Sequence, residues 1–202
     1  MFEHLNLVLF SSLNAEPGLH GWPLHLALFA AERLILLVPL MLMLLWISGA
    51  AEQRQTAVRA CLATATALAI NAAIGLAWFH PRPFMAGIGH TFLVHAPDSS
   101  FPSDHGTIMF TVALVLMFSL APRARRFGVL LLPVALAVAW ARVYVGVHYP
   151  MDMAGALLVA GVVTALFHSR AGAAACGALV PLMESVYRRV LAAPIARGWL
   201  RP

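Results

Sequence analysis

The sequence predicts an all-α integral membrane protein, a bundle of five or six transmembrane helices with interfacial segments around it, and three observations carry that prediction. Of 202 residues, 61% are hydrophobic and only 10% charged, against roughly a quarter charged in soluble domains. A mean hydropathy of +0.84 leaves too few polar residues to coat a compact globule, so lipid has to supply the outer shell. Five long apolar runs and a one-sided distribution of arginine complete the case.

The elements follow in chain order. Phe2, Leu5, Leu7, Leu9 and Phe10, mixed with His4, Asn6 and Ser11, make a short segment read as an interfacial helix. The apolar runs are 24–47, 56–79, 105–121, 127–147 and 151–167. At about 1.5 Å per residue each crosses or nearly crosses a hydrocarbon core roughly 30 Å thick. Ser48-Gly49 and Ala121-Pro122 close runs, and Tyr149-Pro150 puts a proline where a new helix can begin. The first run is too long for a cleavable signal peptide and lacks a basic leader. The tail, 173–194, carries Glu184, Arg188 and Arg189 among apolar residues and reads as a further interfacial or partly embedded helix. With no repeat, low-complexity tract or linker, the expectation is one domain over 1–202 with a motif-bearing core at about 56–168.

All 13 basic residues are arginine. Mechanisms that need a lysine are therefore excluded. Arg54 and Arg59 lie between the first two runs, Arg123, Arg125 and Arg126 between the third and fourth, and Arg170, Arg188, Arg189, Arg197 and Arg201 in the tail. Alternating helices place these ten on one side, which the positive-inside rule makes cytoplasmic. The +5 net charge is thus explained by topology. A nucleic-acid partner is not expected, since no basic cluster carries interleaved aromatics. Cys61 and Cys176 are read as small buried hydrophobes.

What stays on the outer side is selective. Arg82 and Arg142 escape the cytoplasmic set, Arg33 lies within the first run, and eight of nine histidines belong to the outer half. Arg82 ends the second run, His105 begins the third, and Arg142 and His148 end the fourth, so chain parity delivers all four to one membrane face. Their types suit a phosphate: two guanidiniums for its oxygens, two imidazoles for nucleophilic and acid chemistry, and Asp152 to orient one imidazole. Ser103 stands at an N-cap position, where its hydroxyl and free backbone N–H groups can cradle an anion. Pro150 opens the last helix, and Asp152 in its first turn can reach back to His148; a helix-dipole charge with no chemical role is the rival reading.

Arg82-Pro83, Pro102-Ser103-x-His105 and Arg142-x5-His148-x3-Asp152 together resemble the type 2 phosphatidic acid phosphatase superfamily, whose motifs run Lys-x6-Arg-Pro, Pro-Ser-Gly-His and Ser-Arg-x5-His-x3-Asp. The stretches His80-Pro81-Arg82-Pro83-Phe84 and 95–105 look like its bacitracin-resistance branch of undecaprenyl-pyrophosphate phosphatases. The resemblance implies an active site at the outer face of the bacterial cytoplasmic membrane and a phosphohistidine mechanism without a cofactor. In it His148 attacks phosphorus, Asp152 holds His148, His105 protonates the leaving group, and Arg82, Ser103 and Arg142 bind phosphate. It also implies a role in the peptidoglycan lipid-carrier cycle, with polyprenyl pyrophosphate and membrane lipids as partners. Other lipid phosphates (phosphatidylglycerophosphate, diacylglycerol pyrophosphate, lipid A) are the nearest alternatives, and a silent lipid- or partner-binding protein is another.

The chain departs from the pattern at Gly75, where the motif lysine would stand, at Asp104 in place of glycine, and at Ala141 in place of serine. Glu32 and Arg33 are candidates to support the site, Arg33 as a stand-in for the lysine and Glu32 as a proton acceptor or partner of a site arginine. Asp104 is read as a branch marker, and Asn71 as either a site residue or a helix-to-helix hydrogen bond. No metal is expected: His90, His95 and Asp98 are loosely spaced, and the chemistry of the resembling family needs none. Phe84, Phe92 and Phe101 are expected to seat their loop on the lipid interface.

Overall fold

The computed structural model describes residues 2–48 and 50–201, so the break expected at Gly49 lies outside the described residues. Among these residues the chain is helical: α1 (Phe2–Leu13), α2 (Gly21–Glu32), α3 (Leu37–Ser48), α4 (Ala51–Ala77), α5 (Asp104–Met117), α6 (Pro122–Tyr144), α7 (Pro150–His168), α8 (Arg170–Val190) and α9 (Ala192–Ala196). Four segments are long and apolar enough to cross a membrane, Gly21–Ile47, Ala51–Ala77, Pro122–Tyr144 and Pro150–His168, and α5 is a shorter apolar helix. The chain is a multi-pass membrane protein.

The first span is not one continuous α-helix. Pro39 cannot donate to the Ile35 carbonyl and its ring crowds that group, and the chain tightens into a 3-10 turn at Leu34–Leu36 before α3. The third run ends at Met117 rather than at 121, because Phe118 leaves helical geometry ahead of Ala121-Pro122. At 14 residues, α5 is about 21 Å long, less than a hydrocarbon core. It is nevertheless the centre of the bundle, packed against α4, α6 and α7.

Met109, Phe110, Val112 and Leu116 of α5 meet Leu131, Ala135 and Val138 of α6 and Ala156 and Ala160 of α7 in the core. Small residues bring the backbones close. A side chain at Gly128 would strike the Met117 backbone, and Ala60, Ala63 and Ala67 of α4 are fully buried against Val115 and Val163. Large apolar residues such as Leu76, Leu158 and Val162 stay exposed, as lipid-facing positions should. Cys61 belongs to that outer surface, so only Cys176 is the buried hydrophobe expected of both.

Two terminal segments are more firmly docked than the sequence suggested. In α1, Phe10 is fully buried and meets Tyr149 edge-on at 5.2 Å. At the opposite end of the bundle Arg54 is a buried anchor as well as a topology marker. Its Nε donates to the Trp46 carbonyl at 3.1 Å, Nη1 pairs with Glu184 at 3.5 Å and Nη2 donates to the Arg201 carbonyl. Its guanidinium also lies over Tyr187, tying α8 to the α3–α4 corner.

Candidate active site

The sequence elements that parity assigns to one face do converge. Arg82 follows α4, Ser103 caps α5, Arg142 closes α6, and His148 and Asp152 bracket the start of α7; all five are buried. Ser103 accepts from the Gly106 N–H at 3.4 Å, as an N-cap should. Between α6 and α7 the chain turns at Gly146, whose φ of +82° is open to glycine and where a side chain would collide with the His90 carbonyl.

His148 is held at both ring nitrogens. Its Nδ1 lies 3.1 Å from Asp152 Oδ2, and the same carboxylate oxygen accepts from the Tyr149 N–H at 2.8 Å and from the Ser100 hydroxyl. A carboxylate accepting in this way puts the ring proton on Nδ1. Nε2 is then a lone pair, and Arg82 Nη1 donates toward it at 3.0 Å while Ser103 Oγ lies at 3.2 Å. Burial, then the positive charges of Arg142 and Arg82, hold the His148 pKa well below its ordinary value, so the ring is neutral at physiological pH. A neutral imidazole, oriented by a carboxylate and flanked by a guanidinium and a hydroxyl, is able to act as a nucleophile.

The two arginines differ in how much capacity is already used. Arg82 Nε pairs with Asp98 at 2.7 Å, Nη1 also donates to the Val147 carbonyl at 2.9 Å, and Nη2 donates to the Ser99 carbonyl at 3.3 Å. Among the described residues Arg142 donates only through Nη1, to the Ala31 carbonyl at 3.3 Å, and its Nε and Nη2 are buried without a partner. Buried unpaired donors are costly, and an anion would satisfy them. His105, half-buried in the first turn of α5, is near enough to Arg142, Arg82 and His95 to feel their charges. With its imidazole making no hydrogen bond among the described residues, it is free to exchange a proton with a ligand.

A family model for the PAP2 superfamily matches residues 56–176. The chain belongs to the PAP2 superfamily. It is 43% identical over 201 residues to YbjG of Escherichia coli (strain K12), which carries the name of an undecaprenyl-diphosphatase, with all of both chains covered. It is 35% identical to the undecaprenyl-diphosphatase BcrC of Bacillus subtilis (strain 168), over 74% of this chain and 79% of that one. The crystal structure of LpxE from Aquifex aeolicus shares the fold, with a TM-score of 0.65 at 22% identity, covering 80% of this chain and 93% of that chain.

In this PAP2 chain the supporting residues sort themselves. Glu32 is exposed but lies close enough to Arg142 to act on its charge. Arg33 is also exposed, and its backbone N–H caps α2 on the Phe29 carbonyl; nothing places it where the lysine would reach. A side chain at Gly75 would instead emerge against Ser99, 3.3 Å from its Cβ. Asn71 is the helix-to-helix link, donating to Asp104 Oδ1 at 2.8 Å and Thr107 Oγ1 at 2.9 Å, so Asp104 is tied to α4. Phe92 packs with Ala141, Val145 and Val147, and Phe101 fills the space left by Gly155 and meets Trp78. Phe92 and Phe101 therefore pack against the helices, and Phe84 lines a cavity with Phe92 and His95.

The contacts of four positions escaped sequence reasoning, which had weighed Asp98 only as a metal ligand and Asn6 only as part of an interfacial helix. Ser100 supports Asp152, and Asp98 braces Arg82. Asn6 Oδ1 accepts from the Met151 N–H at 3.0 Å. Asn14 Oδ1 accepts from the His90 N–H at 2.7 Å while its Nδ2 donates to the His90 and Tyr144 carbonyls. Only the Asp98-Ser99-Ser100 cluster ahead of Phe101-Pro102 carried a signal, a polar run beside the second motif.

Proposed function

We propose that this chain hydrolyses undecaprenyl pyrophosphate to undecaprenyl phosphate and orthophosphate at the outer face of a bacterial cytoplasmic membrane. The observation that carries the reading is the His148 ring, with Nδ1 on Asp152 and Nε2 presented between Arg82 and Ser103. The 43% identity over the whole chain to a protein named for this substrate supports the choice of lipid. The ten arginines that alternating spans assign to one side support the orientation.

The chemistry runs in two displacements. Nε2 attacks the terminal phosphorus, an N–P bond forms, and the bond to the bridging oxygen breaks with its electron pair going to that oxygen. His105, protonated when the anionic substrate binds, gives that proton to the departing lipid phosphate and then takes one from a water that attacks the phosphohistidine. The N–P bond breaks, its electrons return to Nε2, and orthophosphate leaves. Arg142 with its unused Nε and Nη2, Arg82 and the α5 N-terminus neutralise charge on the equatorial oxygens. The step needs no metal, and the polyprenyl tail stays in lipid while the headgroup enters the bundle end.

Detergent-purified protein is expected to release orthophosphate from undecaprenyl pyrophosphate in EDTA, and faster than from phosphatidylglycerophosphate, diacylglycerol pyrophosphate or lipid A. Preference for one of those lipids overturns the substrate assignment, and abolition by EDTA overturns the metal-free step. Full activity in His148→Ala, or no labelled phosphohistidine after brief exposure to labelled substrate, overturns the mechanism.

A further inference from the structure

A pyrophosphate brings two phosphates, and the donors described so far serve one of them. Nε2 of His148, Arg142 and the start of α5 surround the terminal phosphorus. Arg82 has given Nε to Asp98, Nη2 to Ser99 and part of Nη1 to Val147. In a chain without lysine, the second phosphate needs another donor.

One imidazole outside the motifs stands in that position. The His95 ring is 6.2 Å from the His148 ring in an edge-on arrangement, and its charge also reaches His105. Three histidines from three segments are thus neighbours, and in the mechanism proposed above His105 is the one that protonates the leaving group. His95 is half-buried, and its Nδ1 lies 3.1 Å from the Ala96 carbonyl and 3.8 Å from Asp98 Oδ1. Those contacts fix the ring at Nδ1 and leave Nε2 without a hydrogen bond among the described residues. Asp98 serves both Arg82 and His95, so the two side chains are braced by one carboxylate.

The segment that carries His95 is anchored. The Phe92 N–H donates to the Val145 carbonyl at 3.0 Å, Thr91 Oγ1 donates to the Gly146 carbonyl at 3.2 Å, and Asn14 grips His90. His95 also lines a cavity of about 400 Å³ with Phe84, Phe92 and Leu93, which gives its imidazole open space to one side. Burial and the neighbouring arginines lower its pKa. It is therefore neutral at physiological pH and is able to gain a proton beside an anion.

We propose that His95 is the specificity-determining contact for the lipid-linked phosphate, the one that leaves, and that it sets the preference of this site for pyrophosphates over phosphomonoesters. The inference rests on the pyrophosphatase reading above. An imidazolium donating through Nε2 to a phosphate oxygen, with Nδ1 on Ala96 and Asp98, is a charge-assisted hydrogen bond. Its loss is expected to weaken binding about 10- to 100-fold.

Two non-hydrolysable probes separate the phosphates: farnesyl phosphonate, with one, and farnesyl methylenebisphosphonate, with two. Their dissociation constants are measured by calorimetry on detergent-solubilised wild type, His95→Ala, His95→Gln and the control His90→Ala. The wild type is expected to favour the bisphosphonate. His95→Ala is expected to lose about 10- to 100-fold for the bisphosphonate and less than about threefold for the phosphonate, His95→Gln to recover part of the difference, and His90→Ala to keep it. An unchanged preference in His95→Ala overturns the inference, and so does an equal loss for both probes, which would mark a structural role. A wild type that binds the phosphonate as well as the bisphosphonate overturns the pyrophosphatase reading itself.

Discussion

Arg82 Nη1 lies 3.0 Å from His148 Nε2, the nitrogen that Asp152 leaves unprotonated by taking the proton side of the ring. In the proposed mechanism the cation that binds phosphate thus lies on the attacking nitrogen, and the terminal phosphate enters between them. The planar fork of Arg82 also holds Asp98 and the Ser99 and Val147 carbonyls. Lysine has one point charge and cannot fill those directions together. Arg82→Lys is expected to lower kcat/KM for a polyprenyl pyrophosphate by about 100-fold or more, corresponding to loss of one oriented transition-state donor. A loss below about threefold would show that charge alone suffices.

Ser100 acts through Asp152. Its hydroxyl, fully buried, donates to the carboxylate oxygen that receives His148 Nδ1. Ser100→Ala removes a positioning contact without touching the phosphate space. The expected outcome is a fall in kcat of about tenfold, the worth of one hydrogen bond to a charged group, with KM within about twofold. A change in KM with kcat intact would place Ser100 in substrate binding instead.

Much of this site was legible because its chemistry restricts residue type. The proposed chemistry favours histidine, arginine and aspartate, the residue types that stand at 82, 105, 142, 148 and 152. Chain parity through alternating spans then brought them to one face. Asn14 was not legible, because asparagine is common at helix ends and its partners His90 and Tyr144 are 76 and 130 residues away. Arg54 was half legible: the positive-inside rule places it by charge, but its burial depends on Glu184 arriving from α8. The break in the first span was written in Pro39, yet hydropathy averages over a run and does not see a missing N–H.

The pH dependence of stability follows from His148. Its folded-state pKa is depressed by burial and by Arg142 and Arg82, so below about pH 6.5 the unfolded chain binds a proton that the folded chain refuses. Stability contributed by the neutral ring is present above pH 6.5 and falls as pH drops below it. His95, depressed in the same direction, adds to the slope. Thermal unfolding in detergent between pH 7.5 and 5 is expected to show a falling Tm in the wild type and a shallower fall in His148→Gln. Parallel curves would mean that His148 titrates alike in both states.

Asn14 joins α1 to the loop between α4 and α5 and to the end of α6 through three hydrogen bonds. Asn14→Ala leaves the His90 N–H and carbonyl without that partner while every reacting group remains. The expected result is faster amide exchange across 88–96 and a severalfold lower kcat/KM, with phosphohistidine still forming on His148. Exchange unchanged from the wild type would show that the Phe92 to Val145 bond holds the loop without Asn14.

Gly146 tests the same junction from the other side. At φ +82° a β-carbon is strained whatever its surroundings, and here it would also collide with the His90 carbonyl. The left-handed conformation alone costs roughly 1–2 kcal/mol for a residue with a side chain, and the collision cannot be relieved by rotating a flexible group, since its partner is backbone. Either the α6–α7 turn moves, carrying His148 off Asp152, or the 88–96 segment moves, carrying His95 away from the leaving phosphate. Gly146→Ala is therefore expected to lower both Tm and kcat/KM, the latter by more than tenfold, whereas Gly87→Ala is expected to lower Tm by strain alone and leave kcat/KM near the wild-type value. Gly87 shares the positive φ, at 66°, but a β-carbon there meets nothing within 4 Å. Equal kinetic effects from the two substitutions would mean that backbone strain, and not the close approach of His90 to the α6–α7 turn, governs the site.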